Sequence, residues 1–203
     1  MVDDPLQTED FRRCAEFHGH ICPGLTIGYL AARAGLGKLR ARRSTEDELV
    51  AELESNACGA DAIQMLTGCT FGKGNLVYKD RGKQAFTFLD RSSGQGVRAA
   101  MRAVVFAPVS RPSDFFAKMR RHAATTEEKN QFWDLQREKS RELLEVSFED
   151  LFSIQWVSRR PMPVQADIDC SEPCDGCNEP TMAAKLQRTG LGNYCLDCAS
   201  HAL

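Results

Sequence analysis

No run of apolar residues in the sequence approaches the roughly 18 that a membrane-spanning helix requires, which excludes such a helix. The stretch from Met1 to Arg13 is acidic and polar, without the positive start and apolar core of a secretory leader. The expectation is therefore a cytoplasmic protein with no membrane partner. An excess of positive charge is lacking as well. The formal net charge is −2, and the basic residues are dispersed apart from Arg40-Ala41-Arg42-Arg43 and Arg120-Arg121, which read as solvated surface. That leaves no electrostatic footprint for nucleic acid. Internal repeats, low-complexity tracts, paired carboxylates and a serine triad are missing too. A phosphate loop is absent despite a superficial likeness over Gly68 to Gly74. Only three residues separate Gly68 from Gly72-Lys73, and Gly74 stands where a magnesium-binding Ser or Thr is needed. Lys73 reads as a surface lysine.

What the sequence has in quantity is cysteine. Nine cysteines in 203 residues is a high and odd count, and in a reducing compartment clustered thiols point to metal or catalysis and not to disulfides. Five of the nine fall in the last 34 residues, which divides the chain. With 42% hydrophobic residues, the rest is enough for one packed domain of ordinary size.

The tail carries Cys174-Asp175-Gly176-Cys177, then seventeen residues, then Cys195-Leu196-Asp197-Cys198. Two such pairs at this separation match a four-cysteine zinc site, each pair forming a tight turn. A redox dithiol would need one pair and leave the other surplus. A hairpin over Met182 to Leu191 and a helix over Tyr194 to Ala202 would complete a treble-clef finger. Four thiolates leave zinc no open position, so the role is structural. Cys170 and His201 lie nearby and are read as non-ligands.

The second concentration is His18-Gly19-His20-Ile21-Cys22-Pro23-Gly24, three potential ligands in five residues ahead of a helix that starts at Pro23. Cys22 then occupies the N-cap, where the helix dipole and free N–H groups favour a thiolate, making it a ligand and the candidate nucleophile. Cys58-Gly59-Ala60-Asp61 and Gly68-Cys69-Thr70-Phe71-Gly72 add two thiols flanked by glycines. His18, His20, Cys22, Cys58 and Cys69 are therefore read as lining one pocket. The mix of nitrogen and sulfur suits zinc or another borderline-to-soft transition metal and argues against magnesium or calcium. The competing reading makes these residues core filler and turn formers. Cys14, on an amphipathic helix, is read as a small core residue.

Periodicity predicts helices over Thr8 to Phe17, Pro23 to about Leu36 with Gly35 and Gly37 as the stop, Asp61 to Thr67, and Thr125 to about Val146 behind a capping box. The helix over Asp61 to Thr67 is expected to hold Cys58 and Cys69 in one region. Strands are expected over Leu49 to Glu54 and Ile154 to Val157, and in the second half of Val97 to Val109, with a loop over Ser92 to Gly96. Leu76-Val77-Tyr78 and Ala85 to Leu89 read as a hairpin around Lys79 to Gly82. The class is α+β: a core of helices and antiparallel sheet over residues 1–157, a linker over 158–169 and the finger over 170–203.

The segments Phe17 to Gly24, Asn56 to Gln64 and Thr67 to Leu76 closely resemble the E-subunit family of formylmethanofuran dehydrogenase, and the tail is similar to the finger many members carry. The resemblance covers about the first half of the chain; the stretch from about Met101 to Val157 carries no matching motif. It implies an α+β core, a dimer of intertwined protomers, and conserved family positions at His18, His20, Cys22, Cys58 and Cys69. It further implies a role in molybdenum- or tungsten-dependent one-carbon or redox metabolism, either beside the enzyme subunits or in handling their metal or pterin cofactor. The alternative is a zinc-finger interaction or regulatory module without catalysis.

Overall fold

Helix α2 (Pro23–Leu39) lies against the helices Glu9–His18, Gly59–Thr67 and Thr126–Glu145 and against the sheet, and the first unit of the chain is built around it. The computed structural model describes residues 4–103, 115, 118, 121–158 and 170–202. The chain divides into two compact units, Met1–Gln165 and Ala166–Leu203. The linker expected over 158–169 lies outside the described residues except for Ser158, which ends a strand.

Helix α1 (Glu9–His18) places Glu9 and Asp10 in its first turn, where the dipole favours acid, and buries Phe11 and Cys14 one turn apart. Gly19 ends it in the left-handed region at φ 91°, donating its N–H to the Ala15 carbonyl. A residue without a side chain is suited to that conformation. The chain reverses and enters α2 through Cys22.

The helix expected to end at about Leu36, with Gly35 and Gly37 as the stop, runs on to Leu39 and closes at Arg40 in the left-handed region. Gly35 is there for packing. A Cβ on it would fall 2.2 Å from the Phe88 ring, so the glycine lets the sheet approach the helix.

The sheet has the order β2-β1-β3-β4-β5, with β1 (Leu49–Leu53), β2 (Leu76–Tyr78), β3 (Ala85–Asp90), β4 (Gln95–Met101) and β5 (Phe152–Ser158). The expected hairpin between β2 and β3 does not form. Instead β2 pairs parallel with β1, Ala51 opposite Leu76, while β3 pairs antiparallel with the other edge of β1, Val50 opposite Leu89. A parallel pair needs a crossover, and α3 (Gly59–Thr67) supplies it between β1 and β2. The sheet is therefore mixed. The remaining pairs, β3 with β4 and β4 with β5, are antiparallel. Gln95 and Gly96, read as loop, open β4, and the strand occupies the first half of the Val97 to Val109 stretch. Val104 to Val109 lie outside the described residues. One sheet face presents Ala51, Leu53, Phe86, Phe88 and Ala99 to Leu25, Ile63 and Phe11, which together form the core.

Helix α4 (Thr126–Glu145) begins with the expected capping box: Thr125 Oγ1 accepts from the Glu128 N–H, and the Glu128 carboxylate accepts from the Thr125 N–H. Arg141 on α4 makes two hydrogen bonds to the Asp4 carboxylate. A short helix, α5 (Phe148–Leu151), leads into β5.

The second unit consists of two small hairpins, β6 (Ser171–Pro173) with β7 (Pro180–Met182) and β8 (Gln187–Thr189) with β9 (Gly192–Tyr194), followed by α6 (Leu196–Ala202). Between the cysteine pairs the hairpin spans Gln187 to Tyr194, later than the expected Met182 to Leu191, because its reversal falls at Gly190-Leu191 and Gly192 takes a positive φ of 148°.

Candidate metal centre

Three helix ends converge on one spot. His18 is the last residue of α1, Cys22 caps α2, and Cys58 sits at the cap position of α3. The convergence is set by glycines on α2 and α3. A Cβ on Gly28 would lie 2.2 Å from the Gly59 carbonyl oxygen, and one on Gly24 would lie 3.2 Å from the Cys58 Cβ. Backbone therefore meets backbone, and the two positive helix ends lie side by side with a sulfur over each. Cys22 Sγ accepts the Leu25 N–H at 3.5 Å, the capping role expected of it.

The ligand atoms of His18, His20, Cys22 and Cys58 all lie within 4.8 Å of one another. His18 Nε2 is 3.9 Å from Cys22 Sγ, and its other nitrogen, Nδ1, is 2.6 Å from Asp61 Oδ2. The Asp61 contact at Nδ1 leaves Nε2 directed toward the sulfurs. The ring of His20 lies 4.3 Å from that of His18 and 4.8 Å from the indole of Trp133 on α4. Burial, then the neighbouring His18, holds the His20 pKa below its ordinary value, which keeps that ring neutral and able to donate a lone pair.

The thiols behave differently from the expectation that Cys22 is the thiolate. Cys22 donates to Cys58, and this bond lowers Cys58 to about 5, helped by the neighbouring His18. The same bond, with burial, pushes Cys22 up. The negative charge of the pair rests on Cys58, whose sulfur makes no capping bond and faces the histidines.

These donors fit a transition ion on chemical grounds. Two imidazoles and two sulfurs are the soft and borderline set that zinc and its neighbours prefer. A carboxylate fixing the tautomer of a ligating histidine is the usual outer support of such sites. Four protein donors saturate a tetrahedral ion, which suits holding or passing on a metal better than activating water.

Cys69 does not join them. It is separated from Cys58 by the length of α3, about 16 Å for eleven residues at helical rise, and its buried thiol donates to the Leu49 carbonyl at 3.2 Å. The helix expected to hold the two thiols in one region keeps them apart. The Gly68 to Gly74 loop is likewise no wall of the site. The fully buried Asn75 binds it down, accepting the Thr70 N–H and donating to the Leu49 carbonyl. Lys73 Nζ reaches the Ser44 and Thr45 carbonyls. Cys14 is fully buried in α1, and burial raises its thiol to about 11, as suits a core residue.

Asp61 and Trp133 are site residues that the sequence reading misses. Asp61 stands three residues after Cys58 in the first turn of α3, so helical spacing offers a signal. Trp133 lies 113 positions from His20 and offers none.

In the second unit Cys174, Cys177, Cys195 and Cys198 also have their sulfurs within 4.8 Å of one another. Cys174 and Cys177 lie in the turn between β6 and β7, and Cys195 and Cys198 at the entry to α6, the knuckle-and-helix arrangement of a treble clef. Cys174 Sγ accepts the N–H groups of Cys195 and Gly176, and these and related backbone donors lower it to about 6. Its neighbours push Cys198 up to about 12, because adjacent sulfurs cannot all ionise without a cation among them. Cys170 lies outside the cluster, as expected.

Residues 17–153 match the protein family described as FmdE, molybdenum formylmethanofuran dehydrogenase operon. A protein of Archaeoglobus fulgidus named as a probable S-adenosyl-L-methionine-binding protein is 32% identical over 203 residues of alignment, covering 92% of this chain and 51% of that protein. The chain thus spans about half the length of that curated relative. The crystal structure of a tungsten formylmethanofuran dehydrogenase FmdE-like protein from Syntrophus aciditrophicus matches with a TM-score of 0.63 at 23% identity, covering 94% of this chain and 90% of that one. At that identity the likeness speaks for the fold.

Proposed function

Since the chain belongs to the FmdE family, we propose that its first unit binds a transition metal through His18, His20, Cys22 and Cys58 and serves molybdenum- or tungsten-dependent one-carbon or redox metabolism. In this reading it receives, holds or passes on a metal or its pterin cofactor, in the cytoplasm, beside the subunits of such an enzyme. The second unit holds a structural zinc. The observation that carries the reading is the four-donor cluster backed by Asp61. An interaction module would account for the finger alone and leaves that cluster without a task. The residues of the chain position the donors: Asp61 aims His18, the helix ends stabilise the sulfurs, and Trp133 covers His20. An ion bound there would take its soft coordination sphere from these four donors and, so saturated, would be held or passed on.

Elemental analysis of the full chain tests this directly. Wild-type protein purified without chelators is expected to carry two metal ions per chain, and His20→Ala one, with the finger unaffected. Two ions in the variant, or one in the wild type, would contradict the proposal. Calorimetry with molybdate and tungstate on the same pair of proteins then asks whether the core site handles those oxyanions.

The chain is also proposed to form a homodimer. Leu135 on α4 and Trp156 on β5 are 42% and 62% exposed, and large apolar groups left in water favour a covering partner. Light scattering at micromolar concentration should give twice 22.6 kDa. A monomer mass would rule the dimer out.

A further inference from the structure

Beside the core cluster lies a cavity of about 660 Å³, bounded on one side by the Gly19-His20 turn and on the other by α4. Its α4 wall is made by Asn130, Trp133, Asp134 and Arg137, residues spaced so that one helix face carries all four. The indole of Trp133 and the imidazole of His20 form a ring-lined wall, 4.8 Å between centroids. Among the described residues, the side chains of Asn130, Asp134 and Arg137 take no hydrogen-bond or ion-pair partner, so an acceptor-donor amide, an acid and a guanidinium all face the cavity with their valences open. A concave space of this size, with an aromatic wall and a few convergent polar groups, has the make-up of a small-molecule site.

We propose that this cavity binds a planar nitrogen heterocycle bearing a carboxylate. The aromatic wall selects a flat ring, which stacks on the indole. Arg137 selects the carboxylate, whose two oxygens match its planar fork. Asp134 accepts from ring N–H groups, and Asn130 asks for a ligand that both donates and accepts. His20 belongs both to this wall and to the metal cluster, so the ring sits next to the metal-binding donors. The binding itself stands apart from the metal reading; only the description of the occupant as the substrate or cofactor handled by that metal rests on it.

The test uses the full chain and two matched pairs of probes, orotate with uracil and pterin-6-carboxylate with pterin. The sequence has two tryptophans, Trp133 and Trp156, so a Trp156→Phe protein labelled with nitrogen-15 reports on Trp133 alone through its indole N–H resonance. At least one acid is expected to shift that resonance and to bind about ten-fold or more tighter than its neutral counterpart, the effect of one charge-assisted pair. Arg137→Gln should erase the preference, and Trp133→Ala should remove binding of acid and neutral probe alike in calorimetry. Repeating the titration after chelation separates the two readings, since binding that survives metal removal upholds the cavity whatever becomes of the metal site. No shift with either acid, or a preference for the acids retained in Arg137→Gln, would overturn the proposal, as would a second copy of the chain filling the cavity.

Discussion

Cys174→Ser is expected to release one metal ion per chain and to unfold residues 170–202 while leaving the first unit intact. The second unit has almost nothing else to hold it. Its strands are three residues each and its helix seven, and the buried apolar side chains among its described residues are Cys174, Leu186 and Ala199. So small a core cannot offset the backbone entropy lost in ordering some thirty residues. A structural zinc contributes roughly 10–16 kcal/mol in comparable fingers, and removal of one thiolate forfeits much of it. The amide resonances of 170–202 should collapse into the narrow range of unfolded chain, and the elemental count should fall by one. Retained dispersion in the variant would mean the unit folds without metal. The pH dependence has a definite sign. Zinc and protons compete for the same sulfurs, and with Cys174 lowered to about 6, Cys198 raised to about 12 and Cys177 also raised, the protons of Cys177 and Cys198 remain on the cluster at neutral pH. Metal binding must expel them, so affinity rises with pH and the zinc is shed on acidification.

The second large effect is expected at Gly28. Valine there would drive its Cβ into the backbone of α3, 2.2 Å from the Gly59 oxygen and 2.4 Å from the Gly59 Cα, where no side chain can swing aside. One helix must move. Overpacking of this kind costs about 3 kcal/mol or more. For a chain of this size that corresponds to a fall in melting temperature of roughly 6–12 °C. The displacement also separates Cys22 from Cys58, because the glycine contact sets the spacing of the two helix ends. Gly28→Val should therefore lose core metal as well as stability, whereas Gly37→Ala, at a position where a Cβ meets nothing within 4 Å, should leave metal binding unchanged. Full metal occupancy in Gly28→Val would show that the glycine contact does not place the sulfurs.

The contrast between the two units shows what can be read from the sequence. The finger's four cysteines are legible from spacing alone, since all lie in tight local turns where separation along the chain dictates separation in space. The same holds for His18, Gly19, His20 and Cys22, for Pro23 at the start of α2, and for the Thr125 and Glu128 capping box. These features depend on contacts within a few residues. The pairing of β2 with β1, and the loss of the expected hairpin, depend on where α3 returns the chain, which short-range turn signals do not encode. Gly35 reads as a helix stop because its partner, Phe88, lies 53 positions away. Cys58 and Cys69 offer the same residue type between glycines, and only the rigid length of α3 decides which one meets the histidines. Asp61 follows from helical spacing once Cys58 is chosen; Trp133 does not. The sequence by itself determined the ligand types and the local turns that present them. Tertiary structure decided which thiol completes the first cluster and what stands beside it, because those choices are set by helix lengths and glycine contacts acting across the whole unit.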